Sequence, residues 1–544
     1  VVPTNNLETG IDERVHLTFP FADEIAPSPD GRWVAYQEGD NVYLTPFPMA
    51  GTAGEPPHVD KRSGAFPVRQ LSFRGGMFLR WRDANTLEYG SGPVHSQYRV
   101  DSEETTTQEA VLTVARRIPD GRIAFTGARI VALADDQEVI ENGTVVVEGS
   151  RITCVGACST EGVNELVDAR GKTIIPGLID MHAHHHRETR GVFGTKNHET
   201  AVYLAYGITT SLDNSMWHQN VHTVSELIRA GELPGPRTYS SGPPLYNGDS
   251  FRQNDLTNYE VTVQNVDRLQ SWGAVSLKQY MQPRRDQRQW VSQAARERGL
   301  MVTAEGGDLE YNLSMIMDGQ TGWEHPLGYL PLYSDATRFF GAAKAVYSVT
   351  FGVGLAPWNQ EYWWAESEYY DDEKLLRWMP WRSFLPHARR RALRPDTDYS
   401  YPILAEAVKD IIAAGGHGAI GAHGQAHGIA PHWEVWMAAS AMGPLDAIKL
   451  ATKEGAYFLG VPDDLGTLEV GKLADFLVLN SNPLEDIRNT TDIQYVMQGG
   501  ILYKADTLDE VWPAQTPYGA YPWVDAEAIR SDERPVGSSS GGGR

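Results

Sequence analysis

Four histidines stand within five positions in GLIDMHAHHHRETRG, at His182, His184, His185 and His186. The apolar residues before them predict a buried strand inside the chain, which excludes a terminal purification tag. Residues two apart on a strand point to the same face, so His182 and His184 can face one ion together. Imidazole nitrogens are common ligands of transition metals. The pattern predicts a metal site built on these two histidines, with His185 and His186 in the loop beyond.

Four further residues that suit metal binding or proton transfer end apolar segments later in the chain. They are Lys278 in GAVSLKQYM, Glu305 in LMVTAEGG, His325 in GWEHPLG and His423 in GAIGAHGQAHG. One histidine or glutamate at a strand end is usually a solvated loop residue. A lysine there is less common, because burial of an unpaired ammonium costs much free energy. The coincidence of six such residues favours one shared site over unrelated loop positions.

Short apolar strands alternate with helical stretches through the middle of the chain, which predicts a parallel sheet covered by helices. Eight such units in about 250 residues fit an α/β fold of the (β/α)8 TIM-barrel class, with its active site at the C-terminal ends of the strands. The predicted strands are Gly177–His184, Gly207–Asp213, Pro236–Ser241, Ala274–Tyr280, Leu300–Glu305, Gly322–His325, Ser348–Leu355 and Gly418–His423. The predicted helices include Val261–Trp272, Gln287–Arg298 and Tyr401–Ala414.

The barrel is predicted over residues 177–462, between strand-rich flanks at residues 111–176 and 463–510. Residues 1–110 contain repeated strands and turns, in APSPDGRWVAYQEGDNVYLTPFP and again in FRGGMFLRWRDANTLEYGSG. Such repeats are typical of β-propeller blades. Two blades cannot close a ring that needs about four or more. We therefore expect a second chain, or the rest of a precursor, to complete the propeller. Residues 511–544 are predicted to form a C-terminal tail.

The composition narrows the classes of partner and compartment. The chain has 47 basic and 70 acidic residues and a formal net charge of −23, so we expect neither nucleic acid nor anionic membrane as a partner. No apolar run approaches the roughly 18 residues that span a bilayer.

The first residues, VVPTNN, do not resemble a signal peptide, so we expect a signal peptide to be absent or already removed. Cys154 and Cys158 form either a local disulfide, as in a periplasmic or secreted protein, or two free thiols, as in a cytoplasmic one.

An aromatic insert lies between the seventh and eighth predicted strands. It is either a packed helical excursion or a lid whose tryptophans, Trp358 and Trp363 among them, line a substrate pocket. Arg284 and Arg285 follow Lys278 closely, and they either pair with a substrate carboxylate or are solvated. The aromatic residues of the insert are Trp358, Tyr362, Trp363, Trp364, Tyr369, Tyr370, Trp378 and Trp381.

The chain from about residue 111 to 505 resembles the amidohydrolase superfamily, through IIPGLIDMHAH, the lysine strand and the closing GTLEVGKLADFLVLN. The most similar group is the imidazolonepropionase and prolidase-like one, some members of which carry an N-terminal TolB-type propeller. The motif SPDGRWVAY resembles the blades of such propellers. The resemblance implies a small β-sandwich built from both flanks of the barrel.

The resemblance also implies a binuclear metal centre. His182 and His184 would hold one divalent ion, His325 would hold the second, and Lys278 would carry a carbamate that bridges the two. Zinc is the first expectation, and nickel, manganese or iron would accept the same ligands. Two such ions lower the pKa of a bridging water and polarise the scissile carbonyl.

Two positions depart from the family pattern. The fifth strand usually ends in histidine, and here it ends in Glu305. The eighth usually ends in an aspartate that binds metal and moves the proton, and here His423 stands in its place. The exchange preserves the number of ligands. We predict that Glu305 ligates the second ion and that His423 lies beside the first, as a ligand or as the proton carrier, and that both are catalytic.

These residues together predict a metal-dependent hydrolase that attacks a C–N bond with a metal-bound hydroxide. The substrate would be a small molecule, either a cyclic amide or a dipeptide-like or N-acyl compound, and the protein a homo-oligomer. An ester or lactone hydrolase on the same site is the alternative enzyme. A non-catalytic binding protein of propeller and barrel is the alternative of another class. A serine hydrolase is rejected, because the GSSSG match in the tail lacks the strand and helix of a nucleophile elbow.

Overall fold

A computed structural model describes most of the chain, which divides into two compact units. The first comprises residues 1–114 and 242–302, and the second comprises residues 115–241 and 303–544. The described residues are 2–6, 10–48, 55–62, 66–185, 196–246, 254, 256–355, 357–366, 372–380 and 394–524. Within these ranges no helix has the length and apolar character needed to cross a lipid bilayer.

The N-terminal part of the first unit consists of small antiparallel sheets. Strands Val2–Asn6 and Gly10–Arg14 pair with each other. One four-stranded meander contains Ala22–Pro27, Trp33–Glu38, Asn41–Pro46 and Arg69–Gln70, and another contains Met77–Trp81, Thr86–Ser91, Val94–Arg99 and Glu104–Glu109. Gly31 adopts a φ of 67° in the turn between strands Ala22–Pro27 and Trp33–Glu38, a conformation that glycine adopts without steric cost. The sheets coincide with the two sequence repeats, and the propeller itself stays a prediction.

The remainder of the first unit carries the predicted lysine strand. Strand Ser276–Tyr280 pairs in parallel with the short strand Leu245–Tyr246. The flanking helices are Tyr259–Trp272 and Arg285–Glu297. The Asn258 side chain accepts a hydrogen bond from the Val261 N–H and so caps the first of these helices.

The second unit contains parallel strands separated by helices. Strands Leu178–Ala183 and Ile208–Asn214 pair in parallel, and so do the successive strands Gly322–Glu324, Val346–Ser348 and His417–Ala419. The other two predicted segments form strands Arg237–Gly242 and Met301–Ala304, and each of these strands includes residues of both units. The helices are His198–Ala205, His218–Ala230, Leu309–Met317, Ser334–Ala343, Gln360–Glu366, Glu373–Trp378, Tyr401–Ala413, Ala430–Met442, Pro444–Leu450 and Lys453–Leu459. Single 3-10 turns occur at Phe351–Val353, Asp396–Asp398 and Ile487–Thr491.

The prediction for the seventh strand, Ser348–Leu355, is wrong beyond its first residue. The strand ends at Ser348, and Phe351–Val353 forms a 3-10 turn. The backbone turns away at Thr350, whose φ is 50°. The buried Glu434 carboxylate accepts the N–H groups of Phe351 at 2.7 Å and Gly352 at 2.6 Å, and these contacts stabilise the turn. A contact this distant in sequence cannot be read from the local apolar pattern.

A nine-stranded mixed sheet unites the two flanks of the parallel strands. Strand Thr173–Pro176 pairs in parallel with Arg122–Val131 and antiparallel with Phe476–Leu479. The remaining strands are Val139–Glu148, Arg151–Gly156, Glu165–Asp168, Ile493–Gln498, Ile501–Lys504 and Glu510–Trp512. A disulfide joins Cys154, on strand Arg151–Gly156, to Cys158, so the two cysteines are bridged and not free thiols.

Candidate metal centre

His182 lies near the end of strand Leu178–Ala183, and a buried carboxylate fixes its backbone. Asp180 accepts the N–H groups of His182 and Ala422, each at 3.1 Å, and the Tyr203 hydroxyl at 3.2 Å. Burial raises the pKa of Asp180 to about 6. The carboxylate therefore joins the first parallel strand to the segment that carries His423.

Three histidines come together at this point. Donor nitrogens of His182, His184 and His423 all lie within 4.8 Å of one another, and we call this group the histidine cluster. The ring centroids are 5.0 Å apart for His182 and His184, and 4.7 Å apart for His184 and His423. The His423 N–H donates to the His182 carbonyl at 2.8 Å, and His423 has a φ of 58°. This turn of the backbone brings the two chain segments together.

His325 borders the histidine cluster and contacts the Glu305 carboxylate. Its ring centroid is 4.8 Å from that of His182 and 4.8 Å from that of His423. Its Nε2 lies 2.9 Å from the Glu305 carboxylate, and its Nδ1 lies 3.0 Å from the Thr350 hydroxyl. The structure thus brings five of the six predicted ligands into one region of the second unit.

Glu324 is a member of the site that sequence reasoning missed. Its Oε2 lies 3.5 Å from Nδ1 of His182, and both side chains are fully buried. Its Oε1 accepts hydrogen bonds from Thr303 Oγ1 at 2.7 Å and Asn214 Nδ2 at 2.9 Å. Strand alternation predicts opposite directions for Glu324 and its neighbour His325, but His325 has a φ of 71°, which breaks that alternation. The available signal was a glutamate in an apolar strand directly before a candidate ligand.

The neighbouring polar residues hold the cluster in place. His427 Nε2 donates to the His184 carbonyl at 2.9 Å, and the Gln425 amide lies 3.1 Å from His423 Nδ1. His185 lies apart from the cluster: its N–H donates to Asp213 at 2.9 Å, and its Nε2 lies 2.9 Å from the Ser211 hydroxyl. His186 lies outside the described residues.

Lys278, the sixth predicted ligand, belongs to the first unit. It lies on strand Ser276–Tyr280 with 2% of its surface exposed, and its Nζ is 5.5 Å from the centroid of the Tyr280 ring. In the sequence, its place at the end of an apolar segment singled it out, and the structure shows that it is buried. That Lys278 carries a carbamate bridging two metal ions stays a prediction.

The predicted substrate-pocket residues differ in their surroundings. Trp363 is buried against Trp436, with ring centroids 5.4 Å apart, whereas Trp358 is 48% exposed. Arg284 is exposed and pairs with Asp286, with Nε 2.9 Å from Oδ1. Tyr369, Tyr370 and Trp381 of the aromatic insert lie outside the described residues.

The donor set suits a divalent transition metal. Three imidazoles whose donor nitrogens lie within 4.8 Å of one another resemble the nitrogen-rich sites of zinc and related ions. Carboxylates of Glu324 and Glu305 lie beside His182 and His325 and add negative charge that favours a cation. The residues present therefore fit a metal ion at the histidine cluster.

Part of the chain is similar to a known protein family. Residues 385–502 match the amidohydrolase family model. A 5-methylthioadenosine/S-adenosylhomocysteine deaminase of Bacillus thuringiensis (strain Al Hakam) is 36% identical over 66 residues, which is 12% of this chain. The match spans only 15% of the deaminase, so the chain covers a small part of the length of the curated relatives that it matches.

Solved structures share the fold over a larger part of the chain. A Xaa-Pro dipeptidase matches 70% of this chain and 100% of its own, with a TM-score of 0.55 and 22% identity. A putative prolidase from Bifidobacterium longum matches 76% of this chain and 100% of its own, with a TM-score of 0.54 and 22% identity. An ochratoxinase of A. niger matches 74% of this chain and 99% of its own, with a TM-score of 0.55 and 18% identity. These matches agree with the predicted resemblance: residues 385–502 match the amidohydrolase family model, and the similar solved structures show a TIM-barrel-type fold.

Proposed function

We propose that the protein is a metal-dependent hydrolase that cleaves a C–N bond of a small molecule. The observation that carries this proposal is the histidine cluster, with its three donor nitrogens within 4.8 Å of one another. The amidohydrolase family domain and the prolidase-like fold support the same activity. Among candidate substrates, proline-containing dipeptides come first because a Xaa-Pro dipeptidase and a putative prolidase are among the similar structures. N-acyl amino acids and cyclic amides follow.

His182, His184 and His423 would hold one ion, and His325 with Glu305 would hold a second. A bound divalent ion lowers the pKa of water and polarises a carbonyl group. In the finer form of the proposal both ions are zinc and Lys278 carries a bridging carbamate. Supporting this form, Lys278 is buried on a strand, where a carbamate would replace an ammonium that is costly to bury.

The chain's own residues divide the remaining work. The Gln425 amide lies beside Nδ1 of His423 and orients that ring, so Nε2 is the atom that either binds the ion or carries the proton. The Thr350 hydroxyl lies beside Nδ1 of His325 and orients that ring, so Nε2 and the neighbouring Glu305 carboxylate are the donors that would hold the second ion. Asp180 holds the backbone of His182 and of Ala422 in register. Each of these contacts reduces the freedom of a reacting group before substrate binds.

A pair of variants tests the division of roles between His423 and Glu305. We expect His423→Asn to lose turnover of proline dipeptides, because neither proton transfer nor ligation survives. We expect Glu305→Gln to keep metal at the histidine cluster but to turn over more slowly. Metal content by elemental analysis and turnover by product assay are measured on both variants. Full turnover and full metal content in His423→Asn would exclude His423 from either role. A wild-type protein that binds no divalent metal would favour a non-catalytic binding protein instead.

Several finer features belong to the proposal. The two four-stranded meanders of the first unit support two TolB-like blades, which a second chain or the rest of a precursor would complete. The sheet shared by the two flanks supports the small β-sandwich that the flanks of the barrel were predicted to form. The disulfide supports a periplasmic or secreted location, since disulfides persist in oxidising compartments. A homo-oligomer is the proposed assembly, and light scattering tests it.

A further inference from the structure

A cavity of about 290 Å³ in the second unit is lined mainly by positive charge. Glu510 is the one carboxylate among its lining residues. This composition contrasts with the whole chain, in which acidic residues outnumber basic ones by 70 to 47. Six lining residues carry the positive charge: Arg116, Arg117, Arg151, Lys196, Arg229 and Arg237.

The cavity lies at the opposite end of the parallel strands from the histidine cluster. Gln498, which lines it, donates from Nε2 to the carbonyls of Thr209 at 2.9 Å and Gly235 at 2.8 Å. Thr209 is the second residue of strand Ile208–Asn214, which pairs in parallel with the strand that carries His182 near its other end. A ligand in this cavity is therefore remote from the proposed catalytic site.

Half of the cations have carboxylate partners, and these contacts hold them in place. The pairs are Arg117 with Glu510 at 2.6 Å, Arg151 with Asp464 at 2.7 Å, and Arg237 with Asp475 at 3.1 Å. The Arg237 guanidinium is largely buried, with 12% of its side chain exposed. The positive charge of these three arginines is therefore balanced locally by carboxylates.

The other three cations have no carboxylate within ion-pair distance in the described part of the second unit. Lys196 donates from Nζ to the carbonyls of Tyr518 at 2.6 Å and Ala520 at 2.7 Å. The Arg229 guanidinium lies 5.4 Å from the centroid of the Tyr239 ring, and Arg116 is exposed. Contacts with carbonyls and an aromatic ring orient these charges without neutralising them. The cavity therefore keeps an excess of positive charge, which attracts anions.

Apolar side chains complete the lining. Ile118, Leu233, Ile501 and Leu508 supply surface that suits a carbon skeleton. The volume lies near the lower end of the range of small-molecule sites, about 300 to 1,000 Å³. Guanidinium groups recognise phosphate and carboxylate through paired N–H donors. We propose that this cavity binds a small organic dianion with an apolar group, whose charge resides on phosphate or on two carboxylates.

Calorimetric titration with two probes tests the proposal. Phenyl phosphate and phthalate each join a dianion to an apolar ring, and comparison of the two shows whether phosphate or carboxylate is preferred. We expect saturable binding of at least one probe at low ionic strength, with a Kd below about 1 mM. Added salt weakens it, because exposed charges are screened. Benzyl alcohol, which has the ring without the charge, is expected not to bind.

The variants replace exposed cationic side chains, because such substitutions preserve the fold. Arg229→Gln is expected to weaken binding about five- to tenfold, and the double variant with Arg116→Gln to weaken it further. Arg170→Gln removes an exposed arginine that pairs with Asp168 outside the cavity, and it is expected to bind as wild type does. His184→Asn is also expected to retain binding, which separates this cavity from the histidine cluster.

Three results would overturn the inference. They are failure of both probes to bind, undiminished binding in the double variant, and loss of binding in His184→Asn. None of these results depends on catalytic turnover, so the proposed hydrolase activity is judged separately.

Discussion

Glu324 Oε2 lies 3.5 Å from Nδ1 of His182, and neither side chain is exposed to solvent. Thr303 and Asn214 hold the other oxygen of the carboxylate, so its orientation does not depend on His182. A buried carboxylate beside a ligand histidine fixes the direction of the ring and increases the basicity of the ligand nitrogen. Glu324 therefore belongs to the metal centre even in a role that does not include direct ligation.

Replacement of Glu324 tests this relationship. We expect Glu324→Gln to lower the affinity for divalent metal about 10- to 100-fold, because the amide keeps the shape of the side chain but loses its charge. Competition with a chelator measures the affinity, and circular dichroism checks the fold. Glu297→Gln, at an exposed glutamate in the first unit, is the matched control and should bind metal as wild type does. Equal affinities in the two variants would remove Glu324 from the centre.

Gly421 makes a close backbone approach to the histidine cluster. A Cβ atom at this position would lie 2.4 Å from His182 Cβ and 2.7 Å from Ser348 Oγ. We expect Gly421→Ala to displace His182 and to reduce both metal content and thermal stability. Gly90→Ala, where the nearest atom would be 4.0 Å away, is the control and should leave metal content unchanged. A Gly421→Ala protein with full metal content would show that the cluster tolerates the shift.

His432 makes stability depend on pH. Burial lowers its pKa from 6.5 to about 4, and its Nε2 donates to the Tyr206 carbonyl at 2.7 Å. The pKa of His432 is lower in the folded protein than in the unfolded chain. The contribution of this residue to the free energy of unfolding is therefore independent of pH above pH 6.5 and decreases as the pH falls towards 4. At pH 5 the loss from this one residue is about 2 kcal/mol.

Urea denaturation at pH 7.5 and at pH 5 measures this dependence. We expect His432→Gln to be less stable than wild type at pH 7.5 but to lose less stability on acidification. His58→Gln replaces an exposed histidine and should keep the wild-type difference between the two conditions. An unchanged difference in His432→Gln would assign the pH dependence to other groups.

The disulfide between Cys154 and Cys158 closes a loop of few residues. Chain entropy predicts a stabilisation of about 2 kcal/mol for so short a loop. We expect a reducing agent to lower the melting temperature of the wild type and to leave that of the Cys154→Ser, Cys158→Ser double variant unchanged. A melting temperature that is insensitive to reduction in the wild type would contradict a stabilising role for the bond.

The local features of the fold were predictable because they depend on residues close in sequence. The helix predicted over Val261–Trp272 is observed at Tyr259–Trp272, where the Asn258 cap and Gly273 mark its ends. The apolar runs also located the starts of the parallel strands to within two residues, but the eighth strand, predicted to end at His423, ends at Ala419. The prediction of the seventh strand was wrong beyond Ser348 because Glu434, on a helix distant in sequence, binds the backbone of Phe351 and Gly352.

The histidines of the site were predictable for a different reason. Alternation on a strand selected His182 and His184. His325 and His423 were predicted because each follows an apolar segment, and the C-terminal ends of the barrel strands lie together. Glu324 was missed because strand alternation predicts that it points away from His325. The positive φ of His325 breaks that alternation, so both side chains reach the site. The positive cavity was invisible in the sequence, since its cations are spread from Arg116 to Arg237 and only the fold assembles them.

Strand Thr173–Pro176 pairs with Phe476–Leu479, about 300 residues further along the chain. During synthesis on the ribosome, strand Thr173–Pro176 is therefore made long before its partner. Until the partner emerges, one edge of the strand exposes its backbone hydrogen-bonding groups, which is a template for pairing with other chains. Completion of this sheet is a late event of high contact order, and premature termination before residue 476 leaves a product prone to aggregate.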